Sequence, residues 1–198
     1  MNKILVINGS DRHGGFTDQA MELMVDQLRG DGAEVDIVLL REYPIEFCLN
    51  CRECTQQPGD APGKCVQKDG MAALVDKLEA ADGFIFAAPT NFGSVTALFK
   101  RFMERLIVYG YWPWGMHWPH FRKEKAVKKP TVLITSCAAP GLLGRLGFST
   151  QKQLKQAAST VGGKVVGVLS SGMVSDERVP QLSEKVTSKA RLLAKRLS

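Results

Sequence analysis

Five short apolar runs recur along the chain, each followed by a stretch in which apolar residues return every three or four positions. The runs are KILVIN (3–8), EVDIVLL (34–40), GFIFAA (83–88), PTVLITS (130–136) and KVVGVLS (164–170). They are rich in Val and Ile and almost uniformly apolar, the pattern of strands covered on both faces. The stretches between them, 17–30, 70–81, 94–108, 148–162 and 180–197, carry helical periodicity. In the first of these Ala20, Met21, Leu23, Met24, Val25 and Leu28 form an apolar stripe, which Gly30 and Gly32 bring to a stop. Parallel strands need helical crossovers, so this alternation predicts an α/β fold, a three-layer sandwich around a five-stranded parallel sheet.

With 198 residues, 44% of them hydrophobic, the chain is expected to make one domain over 1–198. The start, MNKILVINGS, has only a five-residue apolar run, too short for a signal peptide, and no stretch reaches the roughly 18 apolar residues that span a bilayer. A cytoplasmic protein with reduced thiols and no membrane contact is therefore expected. The formal charge of +6 is concentrated in FRKEKAVKKP (121–130) and in the last helix, where basic and apolar residues interleave as on a solvated helix face. No recognition motif accompanies it, so nucleic acid is not an expected partner; a phosphate-bearing small molecule is.

In a doubly wound sheet ligands bind outside the carboxyl ends of the strands, which directs attention to the loops after the first, third and fourth strands. The first, NGSDRHGGFTD, has small and hydroxyl residues that let backbone N–H groups converge ahead of a helix start, an anion cradle. Ser10 and Thr17 can donate to a phosphate and Arg12 can add a charge-assisted pair, although either hydroxyl could equally cap the helix. Neither the P-loop spacing nor the dinucleotide Gly-x-Gly-x-x-Gly spacing is present.

NGSDRHGGFTDQA resembles the Gly-Ser-x-Arg-x-x-Gly-x-Thr loop of the NAD(P)H-dependent FMN reductase family in the flavodoxin-like superfamily, and APTNFGSVTALFKRFMER (88–105) resembles its second conserved turn. The cysteine stretch followed by KDGM is similar to that of the iron–sulfur flavoprotein branch. The chain departs from the pattern at Asp11, where many relatives carry Pro, and at Phe16, in place of a common Asn. The resemblance implies strand order 2-1-3-4-5 and an FMN site. Its phosphate is assigned to Ser10, Arg12, Thr17 and Asp18. Its ring is assigned to Pro89, Thr90, Asn91, Phe92, Gly93 and Ser94, with Ser136, Cys137 and Ala138 from a third loop. Ser94 also fits an ordinary helix N-cap, and Cys137 is expected as a small buried residue rather than a nucleophile. The same resemblance implies NAD(P)H as electron donor, a small-molecule acceptor such as a quinone, nitro or azo compound or free flavin, and a homodimer or homotetramer. Because the cofactor carries the chemistry, no catalytic triad is required or found. An electron-transfer protein serving a protein partner is the alternative.

Two long loops remain. Residues 41–69 contain Cys48, Cys51, Cys54 and Cys65, a set that can bind a [4Fe–4S] cluster or zinc; the ten residues between Cys54 and Cys65 favour reduced thiols over either. Residues 107–129 contain YGYWPWGMHWPHF, expected as a wall over the flavin combined with a dimer surface, with His117 and His120 packing more readily than donating protons.

Overall fold

The computed structural model describes residues 2–140, 147–174 and 181–197. Strands β1 (Lys3–Asn8), β2 (Glu34–Leu39) and β3 (Gly83–Pro89) alternate with helices α1 (Phe16–Gly30), α2 (Met71–Ala80) and α3 (Ala97–Arg105). A hairpin of two very short strands follows, β4 (Gly110–Tyr111) and β5 (His120–Phe121), then β6 (Lys129–Ser136), helix α4 (Thr150–Thr160), β7 (Gly163–Ser171) and helix α5 (Glu184–Ala194). The five long strands form one sheet in the order β2-β1-β3-β6-β7, every pair parallel. Numbering only those five gives the expected 2-1-3-4-5 order.

The apolar uniformity of the strands has a direct cause, because alternate residues enter two separate cores. Leu5, Ile7, Phe84 and Phe86 face Leu74 and Leu78 of α2, Phe99 and Phe102 of α3 and Leu154 of α4. Ile4, Val6, Ile85, Val132 and Ile134 face Met24 and Leu28 of α1 and Ala190 and Leu193 of α5. Phe86 meets the rings of Phe99 and Phe102 edge-on, at 6.1 and 6.0 Å between centroids, which fixes α3 against the middle of the sheet.

The differences from the sequence expectation are local. The helix expected over 94–108 begins only at Ala97, where the Thr96 hydroxyl accepts the Phe99 N–H at 3.2 Å, and after Arg105 it tightens into a 3₁₀ turn, Leu106–Tyr109. Thr96 is thus the cap, not Ser94. The two-residue strands β4 and β5 are too short to leave a periodic signal. The third loop reads TSCAAPG (135–141), and its Gly141 lies outside the described residues, as does Pro180, the first residue of the helix expected over 180–197.

Candidate active site

The loop after β1 is built on buried hydrogen bonds. Asn8, wholly buried, donates from Nδ2 to Asp18 Oδ1 at 2.7 Å and accepts the Ser10 N–H on Oδ1 at 2.8 Å. Asp18 accepts the Gly14 N–H at 3.1 Å, and Arg41, at the end of β2, donates to the Ser10 carbonyl at 3.0 Å and to Asp18 at 3.2 Å. Thr96 closes the other side by donating to the Gly9 carbonyl at 2.6 Å. Gly9 is required here, since a Cβ would lie 2.7 Å from Phe99 Cβ. Asp18 is 2% exposed and its carboxylate is spent within the loop, so it shapes the cradle from below.

Gly15 is the N-cap of α1 and no side chain caps the helix. Neither Ser10 nor Thr17 takes that part, so the first-turn N–H groups and the dipole end face outward without a protein acceptor from a capping side chain. The Ser10 hydroxyl donates to the Arg12 carbonyl at 3.3 Å, and the Thr17 hydroxyl meets no hydrogen-bond partner among the described residues. Both side chains border a cleft of about 380 Å³ at the carboxyl edge of the sheet.

Most of the predicted residues converge on this cleft. Ser10, Arg12 and Thr17 border it from the first loop, Pro89, Thr90 and Asn91 from the turn after β3, and Ser136, Cys137 and Ala138 from the loop after β6. Phe92, Gly93 and Ser94 do not line it. They complete a tight turn in which Asn91 and Ser94 exchange backbone hydrogen bonds at 2.9 and 3.0 Å, with Phe92 and Gly93 at φ 48° and 75°. That is the double left-handed geometry of a two-residue hairpin turn. Ser94 turns to Gln153 of α4 at 2.8 Å, and Thr90 accepts from or donates to the Thr150 hydroxyl at 2.9 Å. Cys137 is buried, its thiol directed to the Ala139 carbonyl at 3.3 Å, a packing role. Sequence reasoning missed Asn8 and Arg41, which hold the loop, and Thr96 and Val174, which border the cleft. Arg41 follows the second strand and Val174 the last, neither of which had marked a ligand loop.

The four cysteines line a different cavity. Cys48, Cys51, Cys54 and Cys65 surround it together with Arg52 and Arg105, and its free space is about 20 Å³. All four are free thiols. Left-handed backbone at Asn50 (φ 53°) and Arg52 (φ 62°) curls the loop, and the Asn50 N–H reaches Cys48 Sγ at 3.4 Å. Burial first, then the neighbouring Cys65, Cys48 and Cys51 thiols, push the Cys54 thiol up to about 11. Buried Arg105 donates to both oxygens of Asp69, at 2.6 and 3.0 Å, and to Cys65 Sγ at 3.5 Å. Among the described residues no group of three or more Cys, His, Asp or Glu side chains is placed to hold a metal ion. Thiolates are ligands for zinc and for an iron–sulfur cluster alike, and the free space between these four is about that of a single water.

The aromatic insert packs on this cysteine loop, and none of its residues borders the cleft after β1. The Arg52 guanidinium is stacked between Trp112 and Trp114, 3.8 and 4.3 Å from the ring centroids, and donates to the Trp112 carbonyl at 2.6 Å. Arg122 reaches back to the Gly59 and Gln57 carbonyls at 2.7 and 2.8 Å. The expected wall over the flavin is therefore absent within one chain, because the insert finds its hydrogen bonds and cation–π partners in the other long loop.

A parallel sheet with the 2-1-3-4-5 order, an uncapped helix start and a hydroxyl-lined cleft at its carboxyl edge defines a flavodoxin-like mononucleotide-binding protein. The family profile for NADPH-dependent FMN reductase matches residues 2–176, and the chain belongs to that family. An iron–sulfur flavoprotein of Archaeoglobus fulgidus is 33% identical over 111 residues, 56% of this chain and 48% of that protein, so the chain spans about half the length of this relative. One of Clostridioides difficile is 28% identical over 198 residues, covering 98% and 76% of the two chains. The solved NAD(P)H:quinone oxidoreductase of Methanothermobacter marburgensis superimposes over 100% of this chain and 99% of its own with a TM-score of 0.73 at 18% identity, a likeness of fold. Among the described residues no helix is long and apolar enough to cross a membrane.

Proposed function

We propose that the chain is a cytoplasmic FMN-dependent NAD(P)H oxidoreductase, one flavin-binding domain over 1–198 that works as a homodimer or homotetramer and passes electrons to a quinone, flavin, nitro or azo acceptor. The observation that carries this reading is the uncapped start of α1 opening, beside the unpartnered Thr17 hydroxyl, on a cleft of about 380 Å³. Anionic phosphate oxygens answer the unused donors there, and a pocket of this size suits one mononucleotide. FMN supplies acceptance of hydride from the nicotinamide and its onward delivery. Ser10, Thr17, Arg12 and the first-turn N–H groups of α1 hold the phosphate, and Arg41 and Asp18 keep their loop rigid. Thr90, Asn91 and the Ser136–Ala138 backbone orient the ring and exclude water at its edges. Steady-state NAD(P)H oxidation by the FMN-loaded protein with added quinone tests the proposal; absence of turnover with every small acceptor and both nicotinamides refutes it.

A second reading starts from the four thiols around one cavity. In it, Cys48, Cys51, Cys54 and Cys65 hold a [4Fe–4S] cluster, which supplies one-electron transfer, and the protein serves a protein partner. Iron and acid-labile sulfide in protein purified without air, with reduction only by a protein donor, would select this reading over the first.

A further inference from the structure

Two threonine hydroxyls meet at the turn after β3, 2.9 Å apart. Thr90 is half-buried and borders the cleft, whereas Thr150 opens α4 and is 2% exposed. Both are fixed in place by their backbones. The Thr90 N–H donates to the Ser136 carbonyl at 2.7 Å, and Ser149 donates to the Gly93 carbonyl from its N–H at 2.7 Å and its hydroxyl at 2.9 Å. Gln153, one helical turn further on, accepts from the Ser94 hydroxyl at 2.8 Å and the Val95 N–H at 3.2 Å. The start of α4 is thereby clamped to the turn that borders the cleft.

Burial decides which of the two hydroxyls donates. Each carries one proton and two acceptor positions, so the member that gives its proton to the other keeps none for a third group. Thr150 has no other side-chain hydrogen bond among the described residues. Thr135 Oγ1, a buried hydroxyl near the end of β6, has no partner at all and so takes no proton from Thr150. If Thr90 were the donor, the Thr150 proton would be buried without an acceptor, at the full desolvation cost of that group. With Thr150 donating, the one proton left over is that of Thr90, the residue at the cleft. A hydroxyl that accepts a hydrogen bond also becomes a stronger donor.

We propose that Thr150 is a positioning residue that makes the Thr90 hydroxyl a preset donor to the ring bound in the cleft, favouring the reduced ring over the oxidised one. This rests on the flavin reading above, which assigns Thr90 to the ring. Reduction adds electron density along the nitrogen and carbonyl edge of a flavin, so a donor already turned towards it binds the reduced form more strongly.

The test compares the full chain with Thr90→Val, Thr150→Val, Thr150→Ser and the double variant carrying both Val substitutions. In the FMN-free protein, hydroxyl proton exchange followed by NMR reads the direction of the bond: Thr150 is expected to keep a slowly exchanging proton and Thr90 to show none. A slow proton on Thr90, or none on Thr150, overturns the proposal. In the FMN-loaded protein, the midpoint potential reports the ratio of affinities for reduced and oxidised FMN. Thr90→Val is expected to lower this ratio about tenfold, about 30 mV for a two-electron couple, and Thr150→Val about threefold, with Thr150→Ser restoring the wild-type value. The double variant should match Thr90→Val, because Thr150 acts only through Thr90. A Thr150→Val protein that melts lower but keeps the wild-type ratio overturns the proposal, as does a double variant whose ratio falls well below that of Thr90→Val. A wild-type chain that keeps the slow Thr150 proton yet binds no FMN supports the preset donor and refutes the flavin reading.

Discussion

At the residue scale the cradle depends on groups that ligand-seeking motifs do not mark. Ser10, Arg12 and Thr17 are legible because hydroxyl and basic residues before a helix suggest an anion. Asn8 and Arg41 are not, since an Asn ending a strand and an Arg starting a loop read as surface residues until the fold brings them under the same turn. Arg41 and Asp18 are a buried pair, with side chains 8% and 3% exposed. Arg41→Met is expected to destabilise the protein by about 3 kcal/mol in urea unfolding, because it leaves Asp18 buried without its cation, and Asp18→Asn in that background should recover part of the loss. Thr17→Val keeps the shape and removes the hydroxyl; FMN affinity, measured by fluorescence quenching, should fall about tenfold with little change in stability. An unchanged FMN affinity would take Thr17 out of the phosphate site.

At the scale of the elements the two long loops pack on each other, and their union was hidden in the sequence. Each loop reads alone as a candidate lid or ligand loop. What joins them is Arg52, whose left-handed backbone and position between two cysteines give no hint of two tryptophans sixty residues away. Gly63 has the same hidden importance: a Cβ there would lie 1.7 Å from the Cys54 carbonyl oxygen. Gly63→Ala should therefore cost about 2–3 kcal/mol and expose the insert to proteolysis, as overpacking against backbone demands. The Asp69–Arg105 pair ties this unit to α3. Burial alone would raise the Asp69 carboxyl, but hydrogen bonds from Arg105 and from the Glu46 and Met71 N–H groups outweigh it and hold the group down at about 2. A depressed folded value means a contribution that is complete above the ordinary carboxylate range near pH 4 and is lost as the pH falls towards 2. Urea midpoints taken from pH 6 downward should show this acid loss in the wild type, and Asp69→Asn should flatten it while lowering stability at neutral pH.

At the scale of the whole molecule the parallel sheet follows from the five apolar runs, because only strands buried on both faces can be so uniform, whereas its order is implied by the family resemblance alone. The weaker points are those where a short-range bond overrules periodicity: Thr96 delays α3 by three residues relative to the expected start, and the turn at Phe92 and Gly93 takes the space a longer helix would occupy. The same turn shapes the cleft, so the misread boundary and the site are one feature. The strand-end loops of β1, β3 and β6 join into a single cleft, and anaerobic titration shows whether one mononucleotide fills it. Purified chain loaded with FMN should bind the cofactor in a one-to-one ratio, and its flavin absorption should bleach on addition of NADPH or NADH and return with menadione. A chain that binds no FMN, or whose bound flavin stays oxidised with either nicotinamide, would contradict the flavin reading.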